Sequence, residues 1–174
     1  PKGVMITQHN LANYVLWAAS AYGHDGSVSF ALCSSLEFDL TVTPLYVPLI
    51  LGSVLRIYPD RTGVPGAAVL EAFREDRVDA IKLTPSQLSL VLESSVATKR
   101  IRRLILGGEN LSCDLATRAG YGFGTWTEIV NEYGPTEATV GCVINRFSPA
   151  YCSGESVPIG RGCAGASLYV LDAQ

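Results

Sequence analysis

Short apolar runs rich in β-branched and aliphatic residues alternate along this chain with longer stretches in which apolar residues recur at helical spacing. This alternation constrains the fold more than any other feature, because strand, crossover helix and next strand form the unit from which parallel sheets are built. The pattern predicts helices over residues 8–22, 66–76 and 113–119, and strands over 29–34, 54–58, 78–82, 101–106 and 128–131. Thr84 and Pro85 supply an N-cap and first-turn pair for a helix reaching 93. Asp39 is placed like an N-cap for a helix to 51, made irregular by Pro44 and Pro48. Two further β-like pieces, 138–145 and 166–171, flank a Gly, Pro and Ser rich loop over 148–165. The expected class is α/β, with βα units building a mainly parallel sheet flanked by helices.

Composition narrows what such a sheet can serve. With 174 residues, 48% of them hydrophobic and 17% charged, the chain can bury the core of one domain. A net charge of −3 gives no basic footprint for nucleic acid or an anionic membrane. No apolar run reaches the ~18 residues a membrane helix requires; the closest, Val42 to Leu55, is interrupted by Pro44, Pro48 and Gly52. The five cysteines show no CxxC pair, so reduced thiols in a cytoplasmic protein are expected rather than a disulfide framework or a zinc site. Pro1 is not a natural start and Gln174 follows directly on a strand-like stretch. The expectation is that residues 1–174 are part of a domain truncated at both ends.

Ligands of open parallel sheets sit outside the carboxyl ends of the strands. Here those positions carry polar residues: Phe38-Asp39 a few residues past the first strand, Lys82 at the end of the third, Gly107-Gly108-Glu109 after the fourth, and Asn131-Glu132-Tyr133 at the fifth. The segment 131–137, NEYGPTE, holds a Gly-Pro turn, a flat tyrosine ring, and a hydroxyl beside a carboxylate. The hydroxyl can contact phosphate and the carboxylate can hold Mg²⁺, a cation that takes hard oxygen ligands. Taken alone, the same letters also describe an exposed turn.

Pro1-Lys2-Gly3-Val4, His9, Phe38-Asp39, Gly107-Gly108-Glu109 and NEYGPTE occur together, and in this order the chain resembles the adenylation domains of nonribosomal peptide synthetases, within the adenylate-forming superfamily. The resemblance runs through all 174 residues and implies part of the large N-terminal subdomain of such an enzyme. It implies ATP and Mg²⁺ as cofactors. Tyr133 would stack on adenine with Asn131 and Gly108 beside it, Thr136 would contact phosphate, Glu137 would bind Mg²⁺, and Lys2 would belong to the phosphate loop. Thr136 and Glu137 thus carry the catalytic roles. Asp39, a plain N-cap on chemistry alone, becomes the partner of the substrate's α-ammonium.

The family's specificity positions fall on Asp39, Leu40, Thr43, Lys82, Ile105, Gly107, Glu132, Val140 and Gly141, a set similar to the family's asparagine-type pockets. A carboxamide needs an acceptor for its NH₂ and a donor for its C=O, and Glu132 with Lys82 offers one of each. The competing reading makes Lys82 and Glu132 an ordinary ion pair with the pocket elsewhere. The resemblance further implies a peptidyl carrier domain bearing a phosphopantetheine thiol, and a condensation domain, as partners in one megasynthase. This segment by itself is expected to lack ATP–pyrophosphate exchange. Two alternatives stay open: a stand-alone acyl- or aryl-CoA synthetase of the same superfamily, and a noncatalytic nucleotide-binding module.

Overall fold

The computed structural model describes residues 3–23, 28–61 and 63–172. Lys2, assigned to the phosphate loop by resemblance, lies outside the described residues. In chain order the elements are helix α1 (Gln8–Tyr22), strand β1 (Phe30–Leu32), α2 (Val42–Ile50), β2 (Leu55–Ile57), α3 (Ala67–Glu75), β3 (Ala80–Leu83), α4 (Pro85–Glu93), β4 (Arg103–Leu106), α5 (Cys113–Phe123), β5 (Glu128–Tyr133), β6 (Val143–Arg146) and β7 (Arg161–Gly162). They form a seven-stranded sheet of order β2-β1-β3-β4-β5-β6-β7. Strands β1 to β5 run parallel, whereas β6 and β7 pair antiparallel at one edge.

The strands are apolar on both faces because helices cover both faces. Ile81, Leu83, Leu104, Leu106 and Ile129 face a core shared with Phe73 of α3, Leu88 of α4 and Ala116 of α5. Phe30, Ala80, Ile105 and Val130 face a second core with Tyr14, Ala18 and Tyr22 of α1 and Val47 of α2. The cap expected at Thr84 is present: Thr84 Oγ1 accepts from the Gln87 amide at 3.3 Å, and Gln87 Oε1 accepts from the Thr84 amide at 3.0 Å. Thr7 and Asn10 make the same reciprocal pair at the start of α1.

Four expectations are corrected. Asp39 is not an N-cap; it is the first residue of a 3₁₀ turn, Asp39–Thr41, whose capping position is Phe38 and lacks a side-chain cap. The helix beyond runs unbroken over Val42–Ile50 with Pro48 inside it. Residues 166–171 form no strand: Val170 and Leu171 are exposed, and among the described residues no neighbouring strand pairs with them. The edge strand is instead β7, inside the expected loop. Finally, Cys113 and Cys152 are joined by a disulfide across 39 residues of sequence, with Cα atoms 5.8 Å apart, while Cys33, Cys142 and Cys163 are free.

Candidate active site

Two strand tips carry charge into the α1 side of the sheet. Lys82 of β3 stands in register with Ile105 of β4, which stands in register with Val130 of β5, so Glu132, two residues on, shares their face. Lys82 and Glu132 are each only 3% exposed, and Lys82 Nζ lies 2.5 Å from Glu132 Oε1. Lys82 also donates to Thr43 Oγ1 of α2 at 2.9 Å and to Tyr14 Oη of α1 at 3.2 Å. Tyr14 donates to Glu132 Oε1 at 2.9 Å, and Tyr22 donates to Oε2 at 2.5 Å. A buried ion pair persists only when its remaining donors and acceptors are also occupied. Among the described residues no buried side-chain nitrogen or oxygen lacks a partner.

Burial first, and the Glu132 carboxylate next, push the Tyr14 and Tyr22 hydroxyls well above the usual tyrosine range, so both stay protonated donors. Two glycines let the backbone close around the pair. A Cβ on Gly107 would lie 2.9 Å from the Glu132 carbonyl oxygen, and one on Gly141 would lie 2.2 Å from Glu132 Oε1. The Cys163 thiol, raised by burial and by Glu132 to about 12, is inert beside this cluster.

Asp39 sits one helical turn before Thr43 and lines a separate cavity of about 280 Å³ with Thr136, Val140, Tyr46 and Leu11. Lys82 and Glu132 do not line it; Val140 does, while a Cβ on the next residue, Gly141, would run into the Glu132 carboxylate. Thr139 and Val140 lie in the left-handed region, with φ of 65° and 66°. For β-branched residues that conformation costs roughly 1–3 kcal/mol each, so packing on both sides must hold it. Leu40 lines a larger cavity, about 840 Å³, together with Asp39, Phe38, Gly108 and Glu109. Gly108, Asn131, Glu132 and Tyr133 line a third cavity, of about 380 Å³, which shares Gly108 and Glu109 with the larger one.

The expected site residues therefore fall into three adjoining groups. Thr43, Lys82, Ile105, Gly107, Glu132 and Gly141 surround the buried ion pair; Asp39, Leu40, Thr136 and Val140 line the cavities beyond α2. Gly108, Asn131 and Tyr133 belong to the third cavity, where Tyr133 is half exposed and Asn131 Nδ2 donates to the Val157 and Pro158 carbonyls at 3.2 and 3.1 Å. Glu137 is exposed in the 3₁₀ turn Thr136–Ala138, and His9 is exposed in the first turn of α1. Glu109 caps α4, accepting from the Ser86 amide at 3.0 Å and its hydroxyl at 2.6 Å. Burial acts to raise its carboxyl, but these bonds outweigh it and hold the group below the usual range. Tyr14 and Tyr22 were not among the expected site residues; their signal was a spacing of two full turns with Ala18 between them, which places both on one helix face.

A mainly parallel sheet with glycines and polar side chains at its strand tips defines an α/β protein whose ligand crevice lies outside the carboxyl ends of the strands. The chain belongs to the family of AMP-binding enzymes, whose pattern it matches over residues 1–174. It is 43% identical over 173 residues to tyrocidine synthase 3 of Brevibacillus parabrevis, and 43% identical over 173 residues to bacitracin synthase 3 of Bacillus licheniformis. Each match takes in 99% of this chain but only 3% of the synthase, so the chain spans a small part of their length. Among solved structures it resembles AB3403, a four-domain nonribosomal peptide synthetase bound to AMP and glycine, with a TM-score of 0.86 and 26% identity over 99% of this chain and 13% of that one. The fold is also that of the Vibrio cholerae adenylation domain AlmE, TM-score 0.79 and 24% identity over 91% of this chain and 30% of that one.

Proposed function

We propose that this segment carries the amino-acid and nucleotide contacts of an adenylation domain that activates L-asparagine as its aminoacyl-AMP. The acyl group then passes to the phosphopantetheine thiol of a peptidyl carrier domain, with a condensation domain in the same synthase. The observation that carries the reading is the buried Lys82–Glu132 pair, which places one donor and one acceptor at a strand edge next to the cavity lined by Asp39.

In this reading Asp39 holds the substrate ammonium, the Tyr133 ring supports the purine, and Thr136, which shares the Asp39 cavity, meets the phosphates. The substrate carboxylate attacks the α-phosphorus and pyrophosphate leaves. The protein contributes position and charge rather than a covalent nucleophile. Glu137, an exposed carboxylate beside Thr136 in the 3₁₀ turn, offers the hard oxygen donor that Mg²⁺ takes and would hold the ion there. The bound ion would offset phosphate charge.

Side-chain selection follows from the pair. Glu132 accepts from the carboxamide NH₂ and Lys82 donates to its C=O, whereas aspartate brings a second carboxylate against Glu132. Glutamine differs by one methylene, worth about 1–3 kcal/mol. The test is amino-acid-dependent pyrophosphate exchange by the complete domain with asparagine, aspartate, glutamine and leucine. Asparagine is expected to dominate, and Glu132→Gln to narrow its lead over aspartate; an unchanged ratio counts against the assignment. One observation favours a second reading: Lys82 and Glu132 already satisfy each other, and the Asp39 cavity is walled by Leu11, Val42 and Val140. If that cavity alone receives the side chain, leucine outruns asparagine in the same assay.

A further inference from the structure

We infer that Tyr14 and Tyr22 are positioning residues for side-chain recognition: they fix Glu132 as an acceptor and leave Lys82 one donor that a ligand can take over. The inference rests on the asparagine reading and extends it to helix α1, which supplies none of the specificity positions.

Each proton and lone pair in the cluster can be assigned. Tyr14 has a single proton, which goes to Glu132 Oε1 at 2.9 Å, so the 2.5 Å contact between Tyr14 and Thr43 is a bond donated by Thr43. Lys82 uses all three protons, on Glu132 at 2.5 Å, Thr43 at 2.9 Å and Tyr14 at 3.2 Å. Glu132 Oε1 accepts twice; Oε2 accepts once, from Tyr22, and keeps one lone pair. A carboxamide NH₂ finds its acceptor there. Its C=O finds a donor in the Lys82 proton now spent on the longest of the three bonds. When the carbonyl replaces Tyr14 at that proton, Tyr14 still accepts from Thr43 and donates to Glu132, so no group in the network is orphaned. The exchange needs both tyrosines protonated, as their burial beside Glu132 keeps them. An aspartate side chain offers no proton to Oε2 and sets a second carboxylate against Glu132 there.

The experiment compares the complete adenylation domain with its Tyr14→Phe and Tyr22→Phe variants in pyrophosphate exchange, separating kcat from KM for asparagine and aspartate. The expected result is a rise in KM for asparagine and a fall in the asparagine-to-aspartate ratio of kcat/KM by about 10-fold, the lower end of what a buried bond to a charged group is worth. In saturating asparagine kcat should stay within about twofold of the parent, because the reacting carboxylate is untouched. A ratio within twofold of the parent in both variants overturns the inference, whether activity is retained or drops equally for every amino acid along with thermal stability. Should the variants fail to fold, the parent domain carrying 3-fluorotyrosine decides: asparagine is expected to move the ¹⁹F resonance of Tyr14 and leucine is not. An unmoved resonance overturns the inference. A parent that prefers another amino acid to asparagine sinks the pocket reading before any variant is made, which separates that failure from this one.

Discussion

Gly141→Ala tests whether the ion pair is held as tightly as its bond lengths indicate. A Cβ at this position would stand 2.2 Å from Glu132 Oε1, 2.6 Å from Cδ and 2.7 Å from Cγ, whereas ordinary contact begins at 3.4 Å. Glu132 cannot swing away freely, because Tyr14, Tyr22 and Lys82 hold both carboxylate oxygens at 2.5 to 2.9 Å. A displacement of about 1 Å takes such bonds out of range. The cost is then that of breaking a buried pair from one side, about 3–5 kcal/mol. Denaturant unfolding of the complete domain would measure it, read as a shift in midpoint at constant slope. Repeating the substitution in a Glu132→Ala background isolates the cause, since the clash then has no side chain to meet and the second cost should fall below about 1 kcal/mol. A Gly141→Ala penalty under about 1 kcal/mol, or one that persists undiminished without Glu132, would refute the reasoning.

Two other perturbations probe the frame around the site. Reduction of Cys113–Cys152, which closes a loop across 39 residues, should lower unfolding free energy by about 4 kcal/mol on the chain-entropy account; Cys152→Ser should match that loss and abolish any further effect of reductant. Asp76, at the end of α3, accepts from the Thr98 hydroxyl and from the Lys99 and Arg100 amides at 2.9 and 3.1 Å. Burial acts to raise its carboxyl but these bonds outweigh it, so the folded pKa lies below the unfolded one. Its stabilisation is therefore present above the unfolded value and lost as pH falls through the folded one. Asp76→Asn should cost about 1–2 kcal/mol at neutral pH, and the gap should close on acidification; a gap independent of pH in urea titrations would reject the assignment.

The order of strands and helices was legible because the period of hydrophobicity switches cleanly between strand and helix along residues 8–131. The carboxyl-terminal part was read less well for a specific reason. Whether 161–162 or 166–171 becomes a strand depends on which segment reaches the free edge of β6, a tertiary matter on which local propensity is silent. The disulfide was illegible in the same way, since its two cysteines come from α5 and a distant loop with no spacing rule to join them. The 3₁₀ turn at Asp39 defeated a capping rule that fits the letters equally well.

The candidate site was legible where its residues broke the pattern around them and hidden where they kept it. Buried parallel strands read as continuous apolar runs, so Lys82 and Glu132 stood out as charges in places that demand partners. Tyr14 and Tyr22 occupy core-facing positions on a helix whose buried stripe also holds Val15, Ala18 and Ala19, and a tyrosine there satisfies the amphipathic rule without remark. Only in three dimensions does the Tyr14 ring complete the core while its hydroxyl completes the ion pair. The same logic applies where the pair meets the Asp39 cavity. Sequence spacing places Val140 and Gly141 near both, but the left-handed backbone at Thr139 and Val140 turns the valine toward the cavity and presents the glycine to Glu132. A residue larger than glycine at 141 would have to displace the carboxylate, so the integrity of the pair is set at this one backbone position.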